Sequence, residues 1–201
     1  MRRLFTADEL GLRAEAPGEM DRHECEEGIM KRLNAFVFIG SLALCFGTAS
    51  MAHAGVFSPG GVAFTSSPGG TVTIKSPSTF GAPITCNIQL SGLVRGDGSA
   101  ADVLSATLSG SNALCRLPTL NNLPWVLTPP ASSGGTGGLA NVGYTIAASS
   151  LPATNCGPSS IVGVLANGAG GVDFSAANQP LSGFCTVVSL SAHIPNITIV
   201  P

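Results

Sequence analysis

The sequence predicts an all-β protein: a single disulfide-stapled antiparallel domain, sandwich or barrel-like, behind a secretory signal peptide. Three observations predict it. From residue 55 onward, short apolar runs are punctuated by Gly, Pro, Ser and Asn about every 8–12 residues, the spacing of a sandwich or barrel. No segment sustains a 3.6-residue apolar period built from helix formers. Cys86, Cys115, Cys156 and Cys185 follow an export-type leader, and an even cysteine count in that setting reads as disulfides.

The leader begins at Met30. Lys31 and Arg32 give a basic start, Leu33 to Phe46 is largely apolar, and small residues lead into Ala52-His53-Ala54. Basic start, apolar core and an A-x-A exit are the parts of a signal peptide, with cleavage expected between Ala54 and Gly55. The apolar run is shorter than the roughly 20 residues a membrane-crossing helix needs, so no transmembrane span is expected in the mature chain. Lipidation at Cys45 is disfavoured by the bulk of Leu44 before it. Residues 1–29 hold eight of the eleven acidic residues, a block that would be a disordered tail if made. Glu26-Glu27-Gly28 can be encoded by a purine-rich ribosome-binding sequence just ahead of Met30. The expected organisation is therefore a misassigned extension over 1–29, a signal peptide over 30–54 and an all-β domain over 55–201.

Gly55–Pro201 is 147 residues, and a domain of this size buries about 68–70% of its unfolded surface. Its charges are Lys75, Arg95 and Arg116 against Asp97, Asp102 and Asp173, with no Glu and no Met. Nucleic acid is excluded as a partner, because displacing its counterions needs clustered cations. The zero sum argues equally against attraction to anionic lipid. A neutral Ser/Thr/Asn/Gly surface resists association poorly. It suits a protein that adheres, self-associates or sits at an apolar interface.

Strands are expected at Val62–Phe64 and Thr71–Lys75, divided by the turn-rich Ser66-Ser67-Pro68-Gly69-Gly70. Ile84–Val94 alternates in part, with Ile84, Cys86, Ile88, Leu90 and then Gly92 on one face. Arg95-Gly96-Asp97-Gly98 is a turn, and Val103–Leu108 follows. Leu123–Thr128 surrounds Trp125 and ends at Pro129-Pro130. Ser132–Gly138 reads as a mobile Gly/Ser loop. Val142–Ala147, Ile161–Leu165, Val172–Phe174, Phe184–Leu190 and Ile197–Val200 complete the strands, with a hairpin signal at Asn167-Gly168.

Four cysteines permit three pairings. Cys86 to Cys115 and Cys156 to Cys185 have the same separation of 29 positions, which favours those sequential pairs. Each would tie the far ends of a hairpin-like excursion. No C-x-x-C pair exists and His193 is the only histidine after residue 54, so no metal or other cofactor is expected.

An active site is not legible either. A Ser/His/Asp triad would need His193 with one of three aspartates, and no serine sits in G-x-S-x-G. Asp97 reads as a turn residue, and Arg95-Gly96-Asp97, although it spells an adhesion tripeptide, reads the same way. The residues suited to line an apolar contact are Phe57, Phe64, Phe80 and Trp125, with a core position the stronger reading for Trp125.

Several pieces in order resemble the Pra-type alkane-oxidation activators, small exported proteins of hydrocarbon-degrading Gram-negative bacteria. They are Phe57-Ser58-Pro59-Gly60, Leu123-Pro124-Trp125, Cys156-Gly157-Pro158-Ser159, Leu181-Ser182-Gly183-Phe184-Cys185-Thr186-Val187 and Ile197-Thr198-Ile199-Val200-Pro201. The resemblance implies a secreted, non-enzymatic factor that promotes contact with, or growth on, long-chain alkanes. It supplies no catalytic residues. The competing class is a pilin-like, adhesin or biofilm-matrix subunit assembling by strand addition, with Ile194–Val200 and the Gly-rich N-terminus as its donor or acceptor strands.

Overall fold

Alternation does most of the work in this chain: side chains two apart share a face, so each strand sends one apolar row inward and one Ser/Thr row outward. A computed structural model describes residues 54–201. The extension expected over 1–29 lies outside the described residues, and so does the leader up to residue 53. The strands are β1 (Val56–Ser58), β2 (Ala63–Thr65), β3 (Thr71–Lys75), β4 (Ile84–Val94), β5 (Ala101–Ser109) and β6 (Thr119–Asn121). They continue with β7 (Trp125–Thr128), β8 (Gly135–Ile146), β9 (Thr154–Gly168), β10 (Gly171–Leu181), β11 (Cys185–Pro195) and β12 (Thr198–Val200).

The order β4-β3-β11-β10-β9-β8-β7-β5 closes on itself through the pairing of β4 with β5. The result is an eight-stranded, all-antiparallel barrel, and chain neighbours are neighbours in space throughout. Closure removes the exposed sheet edges that invite aggregation. β2 and β6 are extensions: β2 continues the β3 position against β4, and β6 continues the β7 position against β8. The breaks between them are Ser66–Gly70 and the segment Asn122–Pro124. Bulges supply the curvature that closure needs. At Leu104, the extra residue between Ser105 and Val103 opposite Ser91 and Gly92, the inward row changes from Ala101 and Val103 to Ala106 and Leu108.

The turns divide into two ends. At one end lie the β4–β5, β7–β8 and β9–β10 turns, and the ribbon of β1 and β12 covers it. Phe57, Ile197 and Ile199 are buried there. Asn167 serves as a substitute strand partner, with Oδ1 accepting from Ile199 N at 2.7 Å and Nδ2 donating to Ile199 O at 3.0 Å. At the other end lie the β3–β4, β5–β6, β8–β9 and β10–β11 turns, together with both disulfides.

The bonds Cys86–Cys115 and Cys156–Cys185 form as the equal spacing predicts, with Cα–Cα distances of 5.5 and 5.8 Å, ordinary for disulfides. Each closes a seam. β5 pairs with β7 only over Ala101–Val103, and Cys115 fastens the loop beyond β5 back to β4. β9 pairs with β10 only over Val164–Gly168, and Cys156 fastens the parted half of β9 to β11.

The all-β reading holds, and the barrel is the form it takes. Two local expectations change. Gly135–Gly138 is not a mobile loop but the start of β8, paired with β7 and β9. Its glycines fit because the neighbours come very close; a Cβ on Gly137 would lie 2.5 Å from Thr128 O. The β9–β10 turn is Ala169-Gly170, two residues past Asn167-Gly168, because Gly168 pairs with Gly171 and Gly170 takes the positive φ of 76°.

Candidate apolar contact surface

The inside of the barrel is the first place to look for a site, since barrels of this size can hold one small ligand. Val72, Ile74, Ile88, Leu90, Leu139 and Ile161 are among the residues that line it, but its free volume is about 30 Å³. A cavity that takes up benzene is about 150 Å³. The interior is a packed core with a small dry void, too small for a hydrocarbon chain. The Tyr144 hydroxyl at its wall and the hydroxyl of Ser76 are buried, and neither has a hydrogen-bond partner within 3.5 Å among the described residues. Burial pushes the Tyr144 phenol above its ordinary pKa, so it stays neutral.

The ribbon-covered end gathers polar pairs. Arg95 donates from Nε to Asp102 Oδ2 at 3.0 Å and from Nη2 to Oδ1 at 2.8 Å. Those bonds hold the Asp102 carboxyl below the usual aspartate range and raise the Arg95 guanidinium. Asp97 Oδ1 accepts from Ser99 N and Ser99 Oγ, which likewise lowers its pKa. Arg95-Gly96-Asp97 is thus a self-satisfied turn, with its arginine occupied by Asp102. His193 Nδ1 lies 2.7 Å from Asp173 Oδ1, across the β10–β11 register. This is an exposed cross-strand pair, and no serine hydroxyl bonds His193 among the described residues.

The aromatic residues sort sharply. Phe57, Phe64 and Trp125 are 1%, 5% and 3% exposed; Trp125 is core, as its stronger reading has it, and Phe57 and Phe64, expected to line a contact, are core instead. Trp125 donates from Nε1 to Asn121 O at 2.8 Å, which satisfies its polar edge in the wall. They are buried because each falls on an inward strand position, which a short run flanked by Pro and Gly does not reveal. Phe80 alone is outside, at 76% exposure. It has a counterpart absent from the sequence expectation: Phe184, at 97%. The signal that could have found it is its place in the turn immediately before the inward-facing Cys185, where β11 begins.

These two phenylalanines sit on neighbouring turns of the disulfide end, because Lys75 of β3 pairs with Thr186 of β11. Both have left-handed backbones, with φ of 52° for Phe80 and 59° for Phe184, a conformation uncommon for a bulky residue. The surroundings hold them there. Ser78 fixes the Phe80 turn by donating from N to Thr154 Oγ1 at 2.9 Å and from Oγ to Pro152 O at 2.6 Å. Phe184 precedes disulfide-bonded Cys185, and Gly183 before it lies so near Asn155 O that a Cβ would stand 1.9 Å away. Leu117, on the β5–β6 loop, adds a third exposed apolar side chain at this end.

The cysteine, turn and strand pattern defines a class: a closed, disulfide-stapled antiparallel barrel with a filled interior and an apolar crown at one end. The chain matches the family described as alkane oxidation protein activator PraA/PraB-like over residues 30–201, and it belongs to that family. No curated protein and no solved structure matches it. Among the described residues no helix is long and apolar enough to cross a membrane.

Proposed function

We propose that this alkane-oxidation activator is a secreted, non-enzymatic protein that promotes contact with long-chain alkanes by adsorbing at the hydrocarbon–water interface through its disulfide end. The observation that carries the reading is the pair Phe80 and Phe184, held outward at 76% and 97% exposure on neighbouring turns. Transferring each side chain from water to hydrocarbon contributes about 2–3 kcal/mol. The filled interior supports an external site over an enclosed one. The disulfides and the leader pattern support export.

Purified protein should lower the tension of a water–hexadecane interface below that of a size-matched soluble control. On bare hydrocarbon the effect should be nearly independent of salt, because the attraction is hydrophobic. Surface activity no greater than the control would refute the reading. In the cell, a deletion strain should grow poorly on hexadecane and normally on a soluble carbon source.

Maturation has its own test. Intact mass of the exported protein should match a chain starting at Gly55, and recovery of any peptide from residues 1–29 would overturn the proposed start at Met30.

The assembling-subunit reading receives no comparable support. Ile194 and Pro195 are already paired in β11, and Thr198–Val200 pairs with Val56–Ser58. Both proposed donor segments are used within the chain.

A further inference from the structure

The zero net charge of residues 55–201 conceals a segregation. Strand register places Asp97, Asp102 and Asp173, the only carboxylate side chains after residue 54, at the ribbon-covered end: Asp102 is opposite Leu93 and Asp173 is opposite His193. The disulfide end holds Lys75, the last residue of β3, and Arg116, in the loop after β5. Both cations are exposed, and neither belongs to an ion pair; the pairs among the described residues are Arg95–Asp102 and His193–Asp173. Each of these cations is also close to an exposed apolar residue in sequence or in strand register. Arg116 precedes Leu117, and Lys75 is paired with Thr186, two residues from Phe184.

Two aromatic tips at the same end as two cations that are unpaired among the described residues, with every carboxylate side chain at the far pole, match one kind of surface. We infer that the disulfide end docks on an anionic phospholipid surface, with Phe80 and Phe184 entering the acyl boundary while Lys75 and Arg116 reach the headgroups. Long basic side chains extend in this way while their stems follow apolar surface, and exposed phenylalanine rings bury at the headgroup–acyl boundary as the apolar face of an interfacial segment does. The carboxylates are repelled, so the barrel axis stands along the surface normal. A soluble polyanion would engage the cations but leave the phenylalanines in water. A neutral oil would do the reverse. The inference rests on the reading of this end as the contact surface, and it departs from the expectation that a zero sum argues against attraction to anionic lipid: the sum is zero, but the distribution is not.

The test is sedimentation of the mature disulfide-bonded protein with two kinds of vesicle, phosphatidylcholine alone and phosphatidylcholine with phosphatidylglycerol at seven to three. Each cation near an anionic surface is worth about fivefold in affinity. The mixed vesicles should therefore bind at least roughly tenfold tighter at low salt, and the advantage should vanish in high salt. K75Q/R116Q should bind both vesicles alike. Adding S132K/A169K to that variant restores the net charge at the opposite end and should not restore the preference. Equal wild-type affinity for both vesicles, or a preference that survives K75Q/R116Q, would overturn the inference. So would dextran sulfate binding as tight as the mixed vesicles, or a dimer on a sizing column that F80N/F184N abolishes. Failure here with hexadecane adsorption intact would remove the lipid partner and leave the proposed function standing; failure of both would remove the contact surface itself.

Discussion

Removal of both disulfides should unfold the protein. A closed loop between cysteines 29 positions apart stabilises by roughly 3–4 kcal/mol in the loop-entropy account. The two loops do not overlap in sequence, so their contributions should be close to additive. Together they approach about 7 kcal/mol, against total stabilities of about 5–15 kcal/mol for natural domains. Their placement sharpens the expectation. Beyond Val103 the β5 ladder has no partner on its β7 side, and before Val164 the β9 ladder has none on its β10 side. Each disulfide holds one of these seams shut. Cys86→Ala/Cys115→Ala should lose roughly 3–4 kcal/mol and speed amide exchange first in Leu104–Ser109. Cys156→Ala/Cys185→Ala should lose a similar amount, with the exchange rising in 154–163. Chemical denaturation with residue-resolved exchange measures both. A double-alanine variant within about 1 kcal/mol of wild type would show that the barrel closes without its staples.

The parts of this fold that were legible in the sequence are those set by short-range physics. Ile84–Val94 could be read to the residue because its inward row is unbroken from Ile84 to Val94. Thr71–Lys75 was legible for the same reason, and the cysteine pairs followed from equal spacing. The misreadings arose where long-range contact overrides local composition. Gly135–Gly138 looks like a flexible linker, yet it is a strand because it pairs with β7 and β9, which approach so closely at Gly137 that a Cβ would not fit. Thr154–Gly168 was visible only at Ile161–Leu165. Its first half contains Gly157-Pro158 and a seam, so alternation lapses there although the segment still pairs with β8. Val56–Ser58 and Thr119–Asn121 are short strands that exist only because a distant partner offers an edge.

The contact surface was legible in kind but not in place. Scarcity of charge pointed to an apolar interface, and nominating the aromatics was the natural next step, but aromatic identity does not distinguish wall from rim. What distinguishes them is register against the cysteines. Both phenylalanines on the rim lie in turns, one before an inward cysteine and one after a short 3-10 turn. Segregation of charge was equally hidden, because the residues that meet at one end of an up-and-down barrel come from alternate turns far apart in the chain.

Replacing Phe80 and Phe184 by asparagine should make the protein more stable and less useful. A bulky L-residue in the left-handed region costs roughly 1–2 kcal/mol, and asparagine tolerates that conformation better through its short polar side chain. Neither ring is buried against the barrel at 76% and 97% exposure, so little packing is lost in exchange. F80N/F184N should therefore gain about 1 kcal/mol or more in denaturant unfolding. The same change removes about 2–3 kcal/mol per ring of transfer energy, which at the hydrocarbon interface amounts to a loss of adsorption by two or more orders of magnitude. Gly81 and Gly183 already supply freedom to these two turns, with φ of 74° and 83°, so nothing in the turn geometry itself demands phenylalanine beside them. Strained residues of this kind persist where the strain serves a site. A variant that loses stability together with surface activity would show instead that the rings brace their turns, and the contact surface would have to be sought on the barrel wall, at Leu104, Val162 and Val164.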